Sequence, residues 1–225
     1  MLFRSVMDWW LVLRSLLDGQ AVYAPGSVAV DTGLDRAFTL ADDPAETARF
    51  LETNGFVHLR GAFTESEMAR VAAGMERAAP TYTDGDGRSW WATLADGRRR
   101  VVRMQYFDEH SPTVAALLDD ERLDAIRRLG GGMHVPRAAG NRIEALFKPL
   151  GVTEGISDIP WHKDCSLGRH SYSCCGLTVG ISVTAGGTTT GQLHALAGSH
   201  RALIWPSLMD PSTKHDFVDV PLPTD

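Results

Sequence analysis

Cysteine is scarce: Cys165, Cys174 and Cys175 are the only three in 225 residues. They form no C-x-x-C pair and no disulfide framework, which excludes a zinc ribbon and a small disulfide-stapled secreted domain. Neighbouring Cys174 and Cys175 would point to opposite faces of a strand and stay reduced, which favours a cytoplasmic setting. Cys165 reads as a small buried hydrophobe. Positive charge is in short supply as well, with 22 Lys and Arg against 28 Asp and Glu and a net charge of −6. That balance argues against a general nucleic-acid binder, which needs a basic face or stripe. The one basic run, Arg98-Arg99-Arg100, is short and reads as a solvated turn, with contact to an anionic substrate as the alternative. Long apolar runs are missing: Met1 to Leu17 is interrupted by Arg4, Asp8 and Arg14, so no stretch approaches the roughly 18 apolar residues of a membrane span. No small-residue cleavage site follows, which speaks against a secretory signal. There is no internal repeat and no low-complexity segment.

What remains is an ordinary globular composition, 44% apolar and 22% charged, long enough for one large domain or two small ones. Val6, Trp9, Trp10, Leu13, Leu16 and Leu17 recur at helical spacing. They predict an amphipathic helix packed on the domain or on a partner, followed by an irregular arm to about residue 40. Asp43-Pro44 supplies an N-cap and a first-position proline for a helix ending at Asn54-Gly55. Phe56 to Arg60 reads as a short strand, with His58 turned to solvent or a carbonyl. Thr64-Glu65-Ser66-Glu67 is a capping box, and Met68, Val71, Ala72 and Met75 continue it as one buried stripe. Ser111-Pro112 opens a helix through Leu118. Another runs from Leu123 to Leu129 and stops at Gly130-Gly131-Gly132, which lacks the spacing of a nucleotide loop.

After about Asn141 the period changes from helical to alternating. Ile143, Ala145 and Phe147, parts of Gly176 to Thr184, and Gln192 to Ala197 predict strands, with Gly186-Gly187 and Gly198-Ser199 as turns. Helices first and strands second predict an α+β domain with a β sandwich or jelly roll.

The chemistry-bearing segment is Pro160-Trp161-His162-Lys163-Asp164. In an extended strand His162 and Asp164 point the same way and Lys163 points away. An imidazole and a carboxylate on one wall are two-thirds of a facial 2-His-1-carboxylate site, the usual holder of non-haem Fe(II). An isolated H-x-D is more often a plain surface triplet, so its setting decides.

That setting resembles a known family. Phe50-Leu51-Glu52-Thr53-Asn54-Gly55-Phe56-Val57 lies in the helical half. Lys148-Pro149 precedes Trp161-His162-Lys163-Asp164, and Gly191-Gln192-Leu193 and Gly198-Ser199-His200-Arg201 follow. From roughly Ala45 onward the chain is similar to the phytanoyl-CoA dioxygenase family of Fe(II)/2-oxoglutarate-dependent oxygenases. The resemblance implies a double-stranded β-helix (jelly-roll, cupin-like) core from about residue 141 with N-terminal flanking helices, in a domain spanning 41–225 after an arm at 1–40. It implies Fe(II) held by His162 and Asp164, 2-oxoglutarate as co-substrate, O2 as oxidant, and a small-molecule substrate hydroxylated at a C–H bond. Arg103, in Arg103-Met104-Gln105-Tyr106-Phe107, is similar to a basic residue that contacts 2-oxoglutarate, although a plain strand-flanking arginine is the commoner meaning. Trp161 is placed as a pocket wall or as core. His200 falls at a turn where the family's histidine is structural. The acidic residue at Asp164 favours hydroxylation over halogenation, because related halogenases carry a small residue there.

One departure stands out. The family's second ligating histidine follows a further Gly-Asp-containing strand, and this sequence stops at Pro221-Leu222-Pro223-Thr224-Asp225. The expectation is a chain truncated before its last strands, with the third ligand and the main co-substrate anchor beyond residue 225. None of His170, His194, His200 and His215 is assigned as the third ligand. Two other readings stay open: a non-catalytic jelly-roll binding protein or inactive truncated homologue, and a cupin-like metalloenzyme of different chemistry.

Overall fold

The computed structural model describes residues 30–131, 143–155, 161–162, 177–201 and 217–224. The expected N-terminal helix, all three cysteines, Gly132, Asp164, His170 and His215 lie outside the described residues. Contacts divide the chain into two units. One is drawn from Met1–Arg60, Pro160–Thr178 and His194–Leu222, the other from Gly61–Ile159, Val179–Leu193 and Pro223–Asp225.

In the first unit, β1 (Ala37–Phe38) pairs in parallel with β2 (His58–Leu59), and α1 (Pro44–Asn54) connects them. The arm before residue 40 is therefore not wholly irregular. The helix begins where expected: the Asp43 carboxylate accepts the Ala45 N–H at 3.0 Å, and Pro44 fills a first-turn position that has no use for an N–H. It ends on Gly55, whose N–H reaches the Leu51 carbonyl at 2.8 Å from a left-handed conformation (φ 82°). Phe50 makes edge contacts with Phe38 and Phe56 at centroid distances of 5.1 and 5.9 Å. These rings bury the apolar side of the helix against the strand pair.

The second unit opens with α2 (Glu65–Ala78), and both halves of its capping box form. Met68, Val71 and Met75 are buried as the spacing predicts, with Ala72 only half-buried. The next feature departs from expectation. β3 (Ser89–Leu94) and β4 (Arg99–Met104) form an antiparallel hairpin in the half of the chain read as helical. Its turn places Gly97 at φ 79°, the left-handed position a glycine tolerates best. Trp90 pairs with Arg103 but Trp91 pairs with Val101, so β4 carries one extra residue at a bulge. The bulge lets consecutive Val101 and Val102 both bury, at 3% and 5% exposure.

Beyond the hairpin come the short helices α3 (Phe107–His110) and α4 (Pro112–Ala115), then a 3-10 turn, Ala116–Asp119. The segment read as one helix from Ser111 to Leu118 is thus an α turn tightened into 3-10. α5 (Glu121–Leu129) is capped by Asp120, whose carboxylate accepts the Arg122 N–H at 2.8 Å, and Gly130 closes it. β5 (Ala145–Leu146) and β6 (Val152–Glu154) complete a four-stranded antiparallel sheet in the order β5-β4-β3-β6. Its inner row, Ser89–Met104–Ala145, faces the α2 stripe. The outer row is Trp90–Arg103–Leu146. Met68, Val71, Met75, Ala78, Tyr82, Val101, Met104, Phe107, Val114 and Ala145 form one buried cluster.

The expected strand within Gly176–Thr184 is corrected for its described part. Residues 177–180 are all exposed, only 181–184 alternate, with Ile181 and Val183 packed on that cluster, and the segment joins no ladder. Gln192 to Ala197 does contain a strand, β7 (Leu193–Leu196), paired with β8 (Asp219–Leu222). The fold is α+β, with helices and antiparallel pairing in the described residues. Among the described residues, the largest sheet interrupts the helices instead of following them.

Candidate active site

The glycine-serine-histidine turn after β7 is fixed from below by the end of α1. Asn54 is fully buried and uses every polar atom. Its amide Nδ2 donates to the Phe50 carbonyl at 3.0 Å and to Asp31 Oδ2 at 3.3 Å, and its Oδ1 accepts the Asp31 N–H at 3.0 Å. Its backbone carbonyl accepts the Gly198 N–H at 2.8 Å. His200, in the 3-10 turn Ser199–Arg201, donates from Nε2 to the Glu52 carbonyl at 3.0 Å. These bonds tie the turn to a helix terminus whose carbonyls need donors in any case. His200 accordingly has a structural partner, in keeping with the reading of that turn.

The strand pair that leaves this turn carries a second histidine. His194 on β7 and Asp219 on β8 meet at 2.8 Å between Nδ1 and Oδ1. A carboxylate only accepts, so Nδ1 carries the hydrogen and a neutral ring holds its lone pair on Nε2. The Trp161 indole meets the same imidazole edge to face, at 6.4 Å between centroids and 75° between planes. Trp161 is half-buried, and His162 beside it is exposed. Sequence reasoning had His194 on a strand but did not pair it with Asp219. The available signal was the position of Asp219 between Val218 and Val220 in an alternating run.

Arg103 is placed on β4, in the other unit. It is half-buried at 26% side-chain exposure, as is its partner Glu144. Nε donates to Glu144 Oε2 at 2.6 Å, and Nη2 pairs with the same oxygen. Gln105 donates to the other oxygen at 3.2 Å. The guanidinium lies over Trp90, 4.3 Å from the ring centroid. The guanidinium is thereby held on an aromatic face and along one carboxylate edge.

The basic run Arg98-Arg99-Arg100 is not a solvated turn throughout. Arg99 and Arg100 begin β4, and each arginine has an acidic partner: Asp96, Asp84 and Glu76 respectively. These are exposed pairs that contribute little to stability. Arg122 is the most heavily bonded arginine described. It reaches Glu67 and Asp120 and the Ala62 carbonyl, and lies 4.3 Å over Phe63. That hub joins two helix N-termini. Its bond to Glu67, with help from the Thr64 N–H, holds the Glu67 carboxyl down at about 2.

Among the described residues, no three His, Cys, Asp or Glu side chains converge as a metal cage. The donor types of the sequence pair suit Fe(II): an imidazole nitrogen and a carboxylate oxygen. His162 is the described half of that pair. Among the described residues, no helix is long and apolar enough to cross a membrane.

Comparison with curated proteins and with solved structures finds no match. The family model of phytanoyl-CoA dioxygenase (PhyH) matches residues 51–216, well over half of the chain and inclusive of Arg103, His162, Asp164, His194 and His200. On that match the chain belongs to the phytanoyl-CoA dioxygenase family, an oxygenase-type enzyme family.

Proposed function

We propose that this chain is a non-haem Fe(II)- and 2-oxoglutarate-dependent dioxygenase that hydroxylates a C–H bond of a small organic substrate. The observation that carries this reading is the family match, which spans the H-x-D segment and Arg103 together. The same membership supports a cupin-like jelly-roll core within a domain covering about 41–225.

In this reading His162 and Asp164 hold the iron, and the assignment rests on their donor types and their spacing of two along the chain. When bound, the metal with its co-substrate supplies the oxidising chemistry, and the protein supplies binding, orientation and exclusion of water. Arg103 provides the cationic anchor for the far carboxylate of 2-oxoglutarate. Its pairing with Glu144 and its stacking on Trp90 hold the guanidinium plane before the co-substrate arrives, so little of its side-chain freedom remains to be lost on binding. Trp161 forms an apolar wall beside His162, which favours a neutral or partly apolar substrate at that edge. The third ligand is not assigned to a described residue.

The test is an anaerobic titration of the purified protein with Fe(II) and 2-oxoglutarate, following the weak visible charge-transfer band expected of such a complex. A band present in the wild type and absent in His162→Ala supports the assignment. Metal-dependent turnover that needs no 2-oxoglutarate would move the protein to another cupin-like chemistry. Absence of iron binding altogether would favour a binding protein.

A further inference from the structure

Trp161, which precedes His162 in the chain, has a defined neighbour. Trp161 meets the imidazole of His194 edge to face. That imidazole cannot rotate freely, because its Nδ1–H is bonded to Asp219 on the adjacent strand. The two residues sit on neighbouring members of one hydrogen-bonded strand pair. Next to them Ala197 donates to the Val218 carbonyl at 3.0 Å. Leu196, Ala197 and Val220 are buried around this pair, so the strands supply a fixed base for the imidazole. The far end of β7 is secured in turn, since Gly198 is bonded to the Asn54 carbonyl. A planar ring with a bonded nitrogen on one side and an aromatic edge contact on the other sets the orientation of that aromatic.

We propose that His194, oriented by Asp219, is a positioning residue for His162 and acts through the indole of Trp161. The purpose given to His162 rests on the oxygenase reading above, whereas the mechanical coupling does not. Outer partners of metal-binding histidines fix ring orientation and typically change metal affinity by ten- to a hundredfold when removed. A contact one residue further out should act at the low end of that range, about tenfold.

The experiment uses the full chain labelled with 5-fluorotryptophan and with 13C at histidine Cε1, in metal-free buffer. Trp161→Phe and His162→Gln assign the two resonances of interest. His194→Ala and Asp219→Ala are each expected to shift the Trp161 fluorine signal and the His162 carbon signal, leaving Trp90 and Trp91 in place. Asp219→Asn, whose amide oxygen still accepts from Nδ1–H, should stay close to wild type. This rescue separates positioning from a general loosening of the strands. If the alanine variants do not fold, His194→Gln keeps a donor toward Asp219 while removing the ring, and the same two shifts are expected of it. An unmoved Trp161 signal, or a Trp161 shift with His162 unmoved, overturns the proposal. These signals are read without metal, so they decide the coupling by themselves. A separate titration of the wild type with Fe(II) or Co(II) tests the oxygenase reading, and its failure would overturn only that reading. Where the wild type binds, His194→Ala should weaken binding about tenfold.

Discussion

The imidazole of His200 occupies the space that a side chain on Gly55 would need: a Cβ built there would fall 2.2 Å from Nδ1. Gly55 also sits at φ 82°, a conformation that costs an L-residue about 1–2 kcal/mol. Gly55→Ala should therefore destabilise the protein through two separable effects, backbone strain and collision. In a urea-denaturation cycle with His200→Ala, the Gly55→Ala penalty should fall by about 1 kcal/mol or more. The strain component remains in both backgrounds. An identical penalty in both would mean that the ring does not pack over Gly55.

That pairing illustrates which parts of the fold were legible. The start and stop of α1 could be read because Asp43, Pro44 and Gly55 act within one turn of chain, and the capping box of α2 is equally local. The hairpin of β3 and β4 was hidden by its own bulge. Val101 and Val102 are buried consecutively, which breaks the period of two on which strand recognition depends. The adjacent Arg98-Arg99-Arg100 run then imitates a solvated loop, because its acidic partners Asp84 and Glu76 are remote in sequence. His162 and Arg103 were legible as candidates from residue type and their order along the chain. The His194–Asp219 bond was not, since it joins positions 25 residues apart and follows from strand pairing alone.

Glu67 predicts a specific acid response. Its carboxyl is held at about 2, against an ordinary 4.5, first by the Arg122 side chain and then by Thr64. A group whose folded value is depressed contributes stability above its unfolded value and loses it as pH falls through the folded one. The contribution is thus complete above about pH 4.5 and is lost progressively down to about pH 2. Urea midpoints measured across this window should fall less steeply for Glu67→Gln than for the wild type. Parallel curves would show that the Arg122 contact is not maintained in solution.

The two rows of the central sheet should respond unequally to truncation. Met104 is fully buried, in register with Ser89 and Ala145, and Met104→Ala should cost about 2–5 kcal/mol by emptying that space. Trp90, one row away, is 42% exposed and stacks on Arg103. Trp90→Ala should cost about 1 kcal/mol, the usual strength of an accessible cation–π contact. Equal losses in the two variants would contradict the register on either side of the bulge.

Arg103 and Glu144 offer the most discriminating pair, because the proposed function predicts changes of opposite sign. Glu144 engages Arg103 through Nε and Nη2, so it orients the guanidinium but also competes with any incoming carboxylate. Arg103→Gln removes the cation and should weaken 2-oxoglutarate binding about tenfold or more, the loss of a hydrogen bond to a charged group. Arg103→Lys should recover only part of this, since an ammonium cannot stack on Trp90 and bind edge-on together. Glu144→Gln keeps a carbonyl oxygen to accept from Nε but withdraws the competing charge, and should tighten 2-oxoglutarate binding. Anaerobic calorimetric titration in the presence of Fe(II) reads all three variants. Opposite shifts would establish Arg103 as the anchor, with Glu144 setting how readily it is given up. If 2-oxoglutarate binds all three variants as it binds the wild type, the pair is a strut of the sheet and the co-substrate is anchored elsewhere.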